Sequence, residues 1–276
     1  MLKRGIRFLL IFICSTQLSC SVNILEEFGD PDTDMAKYHE ANRLISKGMY
    51  SDALTVFSTM SANFLTKPEV IQLRASANAG LCGLDFLNFV TEISNIGTTK
   101  LYQLLMAGRA SIAPDTNNIT YCSTAISLIQ SLGATGATRT DDENIFLAAV
   151  AFIQMGVIFS VYADTDNNGT LDGGFDACAG GSIADAQIDQ YGAALMIAIE
   201  SINAITNPAF GGAEASTVNT VCATLAGAPY NETDICTKTD GSFDATERNL
   251  LRSLIKESSA VGLAQCTGDI STCFCP

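Results

Sequence analysis

The segment of residues 145–163 constrains the fold of this chain more than any other feature of its sequence. Gln154 and Ser160 are its only strongly polar residues. A helix that is apolar on every side is stable in the centre of a bundle or across a membrane, and this segment is almost long enough to cross a hydrocarbon core. Acids flank it at 141–143 and at 164 and 166, without the Lys, Arg or Trp that usually anchor a span. The sequence favours a buried central helix, with a membrane span as the alternative.

Helical periodicity continues through the rest of the chain, and no alternating strand pattern competes with it. Thr140 with Glu143, Ser182 with Asp185 and Asp244 with Glu247 fit helix starts, because each pair places an oxygen acceptor three residues before an acid. We therefore predict an all-α fold, either a helical bundle or a short solenoid of helical hairpins. The candidate helices are 99–110, 119–132, 141–163, 183–205, 214–226 and 244–264.

The N-terminus has the pattern of an export signal. Basic residues at 3, 4 and 7 precede the apolar run 8–14, and the segment ends at Ser19 and Cys20. This pattern resembles bacterial lipoprotein signal peptides, in which the cysteine after the cleavage site receives a lipid such as palmitate; Gln17 stands where Leu is usual. The resemblance implies a signal peptide at 1–19 and lipidation of Cys20. Ordinary cleavage with a free Cys20 is the alternative.

Composition agrees with export. The signal contains three of the 15 basic residues and none of the 29 acidic ones, so its removal changes the net charge from −14 to −17. Such a surface repels phosphate backbones and anionic head groups, which argues against a nucleic-acid partner and leaves the lipid as the means of membrane attachment. We therefore expect residues 20–34 to form an anchor and linker and 35–276 to form a single helical domain.

The cysteines indicate disulfides. With Cys14 in the signal and Cys20 lipidated, an even number remains, and an oxidising compartment favours their pairing. A metal site on the last three of them is the alternative, but they contain no CxxC pair. Connectivity is open, although Cys222 and Cys236 lie close together across a turn-forming segment. The candidates are Cys82, Cys122, Cys178, Cys222, Cys236, Cys266, Cys273 and Cys275.

A helical hairpin is predicted after the linker. Apolar residues recur three or four apart over 35–45 and 53–60, Lys47 and Gly48 end the first helix, and a further helix is expected over 68–95. Residues 35–95 resemble about one and a half tetratricopeptide repeats, whose small residues allow close helix packing. A generic amphipathic hairpin is the alternative. The residues that carry the resemblance are Ala41, Leu44, Gly48, Tyr50, Ala53, Phe57 and Pro68.

The loop after the apolar segment resembles an EF-hand calcium loop. Oxygen-bearing residues occupy positions 1, 3, 5, 7 and 9, and Gly169 occupies position 6, where such loops bend. Phe175 stands at position 12, where a bidentate Glu is usual, so Asp176 is the expected substitute. The resemblance implies a structural calcium site, within a calcium-loop and Cys-rich part of the domain at 140–276, and a solvated polar turn is the alternative. The candidate ligands are Asp164, Asp166, Asn168, Thr170, Asp172 and Asp176.

No catalytic constellation is evident. His39 is the single histidine and is expected on the surface of the first helix, so a triad built on it is not favoured. Taken together, the resemblances imply a lipoprotein of the bacterial cell envelope, anchored in the outer membrane, that binds a protein or peptide partner in a helical groove. A small-ligand-binding component beside a solute transporter is the alternative, and a hydrolytic enzyme using carboxylates is the least favoured.

Overall fold

The structure, a computed structural model, describes residues 32–93, 100–110, 113, 115–206, 213–227, 230–259 and 261–276. The predicted signal, Cys20 and the linker to residue 31 lie outside these ranges. The described residues contain helices and turns without a strand, which confirms the all-α prediction. The helices are α1 (Asp34–Ser46), α2 (Tyr50–Phe57), α3 (Ala62–Leu65), α4 (Pro68–Cys82), α5 (Phe86–Ile93), α6 (Leu101–Ala107), α7 (Thr116–Gln130), α8 (Asp141–Tyr162), α9 (Asp185–Ala204), α10 (Ala213–Ala226) and α11 (Ala245–Lys256).

The first two helices form the predicted hairpin. Gly48 adopts φ +74°, a conformation that glycine tolerates best, and its N–H donates to the carbonyl oxygen of Ile45 at 2.9 Å. Ala41 and Ala53 are fully buried. Two alanines at the contact let the helix backbones approach closely, as the sequence predicted.

Helix α4 joins this hairpin to the rest of the molecule. Its Val70 and Ala77 belong to the apolar cluster of the hairpin, whereas its Ala75 and Ala79 belong to the larger cluster built on the later helices. From there the longer helices pack on one another in chain order: α4 contacts α7, α7 contacts α8, α8 contacts α9, and α9 contacts α10 and α11, while the short α6 packs on α8. Helix α4 therefore contributes side chains to both apolar clusters, that of the hairpin and that of the later helices.

The expectation of one helix over 68–95 is wrong. Helix α4 ends at Cys82 because Gly83 takes φ +96° and its N–H donates to the carbonyl oxygen of Gly80. A separate helix, α5, begins at Phe86. Residues 94–99 lie outside the described part of the chain.

Helix α8 is the central helix. Thr140 and Glu143 form the predicted capping box at its start. Its length and composition would allow it to cross a membrane, but 78% of its most apolar window is buried inside the structure, against α6, α7 and α9. Both polar residues of the segment are also buried, Gln154 at 3% exposed and Ser160 at 2%. In this structure the segment is a buried core helix, as the sequence favoured.

Two helix boundaries near the C-terminal half differ from the prediction. Helix α9 begins at Asp185 after Ala184, which offers no side-chain cap, and Ser182 instead accepts a hydrogen bond from the N–H of Asp176. The capping box of Asp244 and Glu247 is present, but α11 ends at Lys256 rather than near 264. The chain turns there because the buried carboxylate of Glu257 binds the N–H groups of the loop that follows.

Four disulfides include all eight predicted cysteines, in the pairs Cys82–Cys122, Cys178–Cys275, Cys222–Cys236 and Cys266–Cys273. The favoured pair across the short turn is confirmed. The first of them links α4 to α7, and the second ties the C-terminus to the segment before α9. Because Cys266, Cys273 and Cys275 are oxidised, the alternative metal site on them has no thiolate ligands.

Candidate metal centre in the loop after the central helix

The loop at 164–176 closes on the end of α8. The N–H of Asp172 donates to the carbonyl oxygen of Ala163 at 2.8 Å, which brings the ninth residue of the loop back to the residue that precedes it. Between them the backbone passes through positive φ twice, +57° at Asn167 and +80° at Gly169. Asn and Gly tolerate this conformation better than other residues, so the Asp-Asn-Gly composition accounts for the tight local turn.

Backbone amides surround the first carboxylate of the loop. Asp164 is fully buried and accepts hydrogen bonds from the N–H groups of Asn168 and Gly169, both at 2.9 Å. Asp172 accepts from the N–H of Thr165 at 2.9 Å and from its hydroxyl at 2.6 Å. Asp166 accepts from the side-chain amide of Asn168 at 2.8 Å. The loop is therefore organised around its acidic side chains.

Three of the six predicted ligands bring their carboxylate groups close together. A carboxylate oxygen from each of Asp164, Asp166 and Asp172 lies within 4.8 Å of the other two. Burial raises the pKa of the Asp164 carboxyl, the neighbouring Asp166 adds to this, and the two backbone N–H groups oppose it. Carboxylates crowded in this way fit a hard divalent cation, because calcium takes oxygen ligands and neutralises their mutual repulsion.

The other three predicted ligands make polar contacts of their own. The side-chain oxygen of Asn168 accepts from the N–H of Thr170 at 2.8 Å and also from its hydroxyl. Asp176 caps the N–H of Cys178 at 3.0 Å and lies 3.9 Å from the ammonium of Lys256, so it does not join the three carboxylates. Phe175, at the twelfth position, is 8% exposed and belongs to the apolar core.

Contacts with the end of α6 and the turn that follows it hold the loop in place. The side-chain amide of Asn167 donates to the carbonyl oxygen of Ala110 at 2.9 Å. A Cβ atom on Gly169 would lie 3.1 Å from the Cβ of Ala110 and 3.4 Å from the Cα of Ala107, so the absence of a side chain allows this close approach. The sequence pattern gave no signal for either contact, because both join segments that are far apart in the chain.

A second acidic group has a different character. Glu232, Asp234 and Glu247 also bring carboxylate oxygens within 4.8 Å of one another. The ammonium of Lys238 lies 2.5 Å from Glu247 and 3.6 Å from Asp234, and the hydrogen bond with Glu247 raises the pKa of Lys238. A protein cation already pairs with two of these carboxylates, so the group is an ion-pair network at the start of α11.

His39 is exposed on α1, as predicted, with its ring edge-on to that of Tyr38 at 5.6 Å between centroids.

Comparisons of this chain with protein-family models, with curated proteins and with solved structures find no match. The function therefore has to be argued from the residues and their geometry.

Proposed function

We propose that this chain is a lipoprotein of the bacterial cell envelope that binds a protein or peptide partner through its helical hairpins. The N-terminal sequence supports the anchor: a basic start, a short apolar run and Ser19 before Cys20. Ser21 after the cysteine resembles lipoproteins sent to the outer membrane. The described part of the chain then acts at a membrane surface and not within the bilayer.

The observation that carries the binding proposal is the packing of α1, α2 and α4. The hairpin has its own apolar cluster, and the ring of Tyr50 packs where a side chain on Gly80 would otherwise lie. Helix pairs that pack on their neighbours in this way expose an extended surface on one side, and such surfaces bind peptides and helices. Two grooves lined by described residues, at α7 and between α7 and α9, are open to solvent, so they can admit part of a polypeptide as well as a small ligand.

Site-specific photo-crosslinking in cells tests this proposal. His39 and Asn42 are exposed on α1, and Thr55 is exposed on α2. In a repeat-like arrangement the first helix of each pair faces the binding groove, so a crosslinker at 39 or 42 should give a discrete adduct with one partner. A crosslinker at 55 is the matched control and should give none. Absence of adducts from 39 and 42, or equal adducts from all three positions, would contradict the proposal.

The same proposal gives the loop at 164–176 a structural role. Asp164, Asp166 and Asp172 would hold one calcium ion, which would supply positive charge to three crowded carboxylates. Because Asn167 and Gly169 dock the loop on the end of α6 and the turn after it, a bound ion would also fix how α8 is connected to α9. One loop without a paired partner loop fits a structural ion better than a sensor.

A further inference from the structure

A polar groove separates α7 from α9 on one side of the central helix. It has a volume of about 340 Å³, within the range of small-molecule sites, and the Thr239–Gly241 segment also lines it. Ile126 and Ile197 are buried in its floor, at 5% and 3% exposed. Its walls carry amides, hydroxyls and two carboxylates, and no Lys, Arg or His is among the described residues that line it.

Gln154 is the most unusual residue of this groove. It is a buried amide in the middle of a helix that is otherwise apolar, and it lines the groove. One N–H of the amide donates to the hydroxyl of Ser123 at 2.8 Å, while the amide oxygen accepts no hydrogen bond from the described residues. This oxygen is not among the buried polar atoms that lack a partner, so it is accessible from the groove and can accept a hydrogen bond from a ligand.

The charge of the groove favours a cation. Asp189 is neutralised by Arg248, whose guanidinium makes two hydrogen bonds to it at 2.7 and 2.9 Å. Asp240 is exposed and keeps its charge: hydrogen bonds from Ser242 lower its pKa, and both use the same carboxylate oxygen. The second oxygen of Asp240 accepts no hydrogen bond from the described residues. The groove therefore combines an apolar floor, an unpaired amide oxygen and one net negative charge.

From these observations we infer that the groove binds a primary ammonium group carried on an aliphatic stem. Three N–H donors on the ammonium suit the acceptors supplied by Gln154 and Asp240, and the stem suits the floor at Ile126 and Ile197. A lysine side chain of a partner peptide and a free aliphatic diamine share this chemistry. The inference does not depend on the proposed partner surface on α1, so either can fail alone.

Binding of small probes to the processed full chain, followed by NMR titration or calorimetry, tests the inference. The probes are N-acetyl-lysine N-methylamide, 1,5-diaminopentane and N-acetyl-norleucine N-methylamide, the last with a similar stem and no ammonium. We expect the first two to bind and the third not to bind. Tighter binding of the lysine amide than of the diamine would identify a peptide as the source of the ligand, and the reverse order would identify a free amine.

Three variants make the test specific. Asp240→Asn keeps the oxygen that Ser242 uses and removes the charge, and Gln154→Leu removes the buried amide. Each should weaken binding of the lysine amide about tenfold or more, as expected for a lost charged hydrogen bond. Asp52→Asn, an exposed change on α2, is the matched control and should leave binding unchanged. Binding of the norleucine amide with equal affinity, equal weakening by Asp52→Asn, or no binding of either amine would overturn the inference.

Discussion

At the scale of single residues, Asp164 is the most deeply buried of the three clustered carboxylates in the loop. It is fully buried, and the carboxylates of Asp166 and Asp172 lie beside it. Backbone N–H groups of Asn168 and Gly169 offset part of the cost of burying its charge. A bound cation would offset the remainder, so the stability of this loop should depend on divalent metal.

The first prediction is that calcium stabilises the fold. For a dissociation constant of about 10⁻⁴ to 10⁻³ M, about 5 mM calcium should raise the free energy of unfolding by roughly 1 to 2 kcal/mol. Thermal melts with calcium and with chelator measure this difference. Asp164→Asn with Asp166→Asn should remove the calcium dependence, whereas Asp142→Asn, an exposed acid at the start of α8, should retain it. Identical melting curves with calcium and with chelator would reduce the loop to a polar turn.

A buried pair of tyrosines leads to the second prediction. The hydroxyl groups of Tyr102 and Tyr191 lie 2.5 Å apart, and both rings pack against Phe159. Burial raises the pKa of both phenols above the usual value, and the charge of Glu257 adds to it. In the unfolded chain these tyrosines ionise near pH ~10, so above that pH unfolding releases protons and the folded state loses stability. Below it the pair has no effect on the pH dependence.

The expected slope distinguishes this pair from other alkaline effects. Each tyrosine should lower the free energy of unfolding by up to about 1.4 kcal/mol per pH unit above pH ~10. Tyr102→Phe with Tyr191→Phe removes both hydroxyls and should therefore make the decline shallower by up to about 2.7 kcal/mol per pH unit. Denaturant melts at several alkaline pH values measure it. Parallel declines in the parent and the double variant would show that the pair does not govern alkaline stability.

At the scale of the helix, packing and intrinsic propensity oppose each other at Gly80. Alanine should stabilise an exposed helix position by about 1 kcal/mol relative to glycine. At Gly80, however, an added Cβ would overlap the ring of Tyr50, and overpacking a tight contact costs about 1 to 3 kcal/mol. The clash is with ring atoms, so we expect it to outweigh the propensity and Gly80→Ala to destabilise the protein.

A double-mutant cycle measures this third prediction. In a Tyr50→Ala background the obstructing ring is absent, so Gly80→Ala should become neutral or stabilising in denaturant melts. Ser76→Ala, on the same helix, is the matched control and should change the free energy of unfolding little, because its hydroxyl bonds only the carbonyl oxygen of Gln72. Equal effects of Gly80→Ala in both backgrounds would assign the cost to something other than the α2–α4 contact.

The fourth prediction concerns the disulfides that tie the elements together. A cross-link removes more conformational freedom from the unfolded chain when it closes a longer loop. The Cys178–Cys275 pair, separated by 97 residues, should therefore contribute about 5 kcal/mol, and the Cys266–Cys273 pair, separated by 7, about 2 kcal/mol. Paired Cys→Ala variants and denaturant melts measure the order.

Thiol titration of the denatured, unreduced parent should find less than about one reactive group, since these eight cysteines are all paired.

Local rules predicted the elements better than their ends. The starts of α8 and α11 followed from Thr140 and Asp244, because a capping box is a contact within one turn. The end of α11 did not follow, because the acid that reverses the chain, Glu257, acts from a buried position that only the fold creates. Ser182 failed as a cap for a similar reason, since its hydroxyl bonds the backbone of Asp176.

In the candidate site, too, the features set by nearby residues were predictable and those set by distant segments were not. The convergence of Asp164, Asp166 and Asp172 follows from their spacing in a tight loop. The separation of Asp176 from them does not, because Phe175 enters the apolar core and Lys256 lies on the other side. The polar groove beside Gln154 also escaped sequence reasoning. A lone amide in an apolar helix was the available signal, but the partners that make it a groove come from three distant segments.

At the scale of the whole molecule, the charge and the core together determine how this chain can meet a membrane. Without the signal its net charge is −17. From residue 100 to the C-terminus, most of the Lys and Arg side chains are held in ion pairs. These pairs join Arg139 to Glu200, Lys238 to Glu247, Arg248 to Asp189, Arg252 to Asp185 and Lys256 to Asp176. Basic residues engaged in this way leave little to attract anionic head groups. On the proposed envelope role, membrane attachment would then depend on the N-terminal lipid.

The last prediction follows: Cys20→Ala should release the protein from membranes. Each buried methylene of an acyl chain contributes about 0.8 kcal/mol to membrane binding, and the acidic surface offers no replacement. Helix α8 is the one long apolar helix among the described residues, and its apolar side chains are already buried against α6, α7 and α9. Fractionation after a carbonate wash measures the outcome, with Ser21→Ala as a matched control that keeps the lipid-bearing cysteine. If the Cys20→Ala protein stays with the membrane after the wash, the lipid does not account for the attachment, and truncation of residues 1–19 would then separate an uncleaved signal from a span formed by α8.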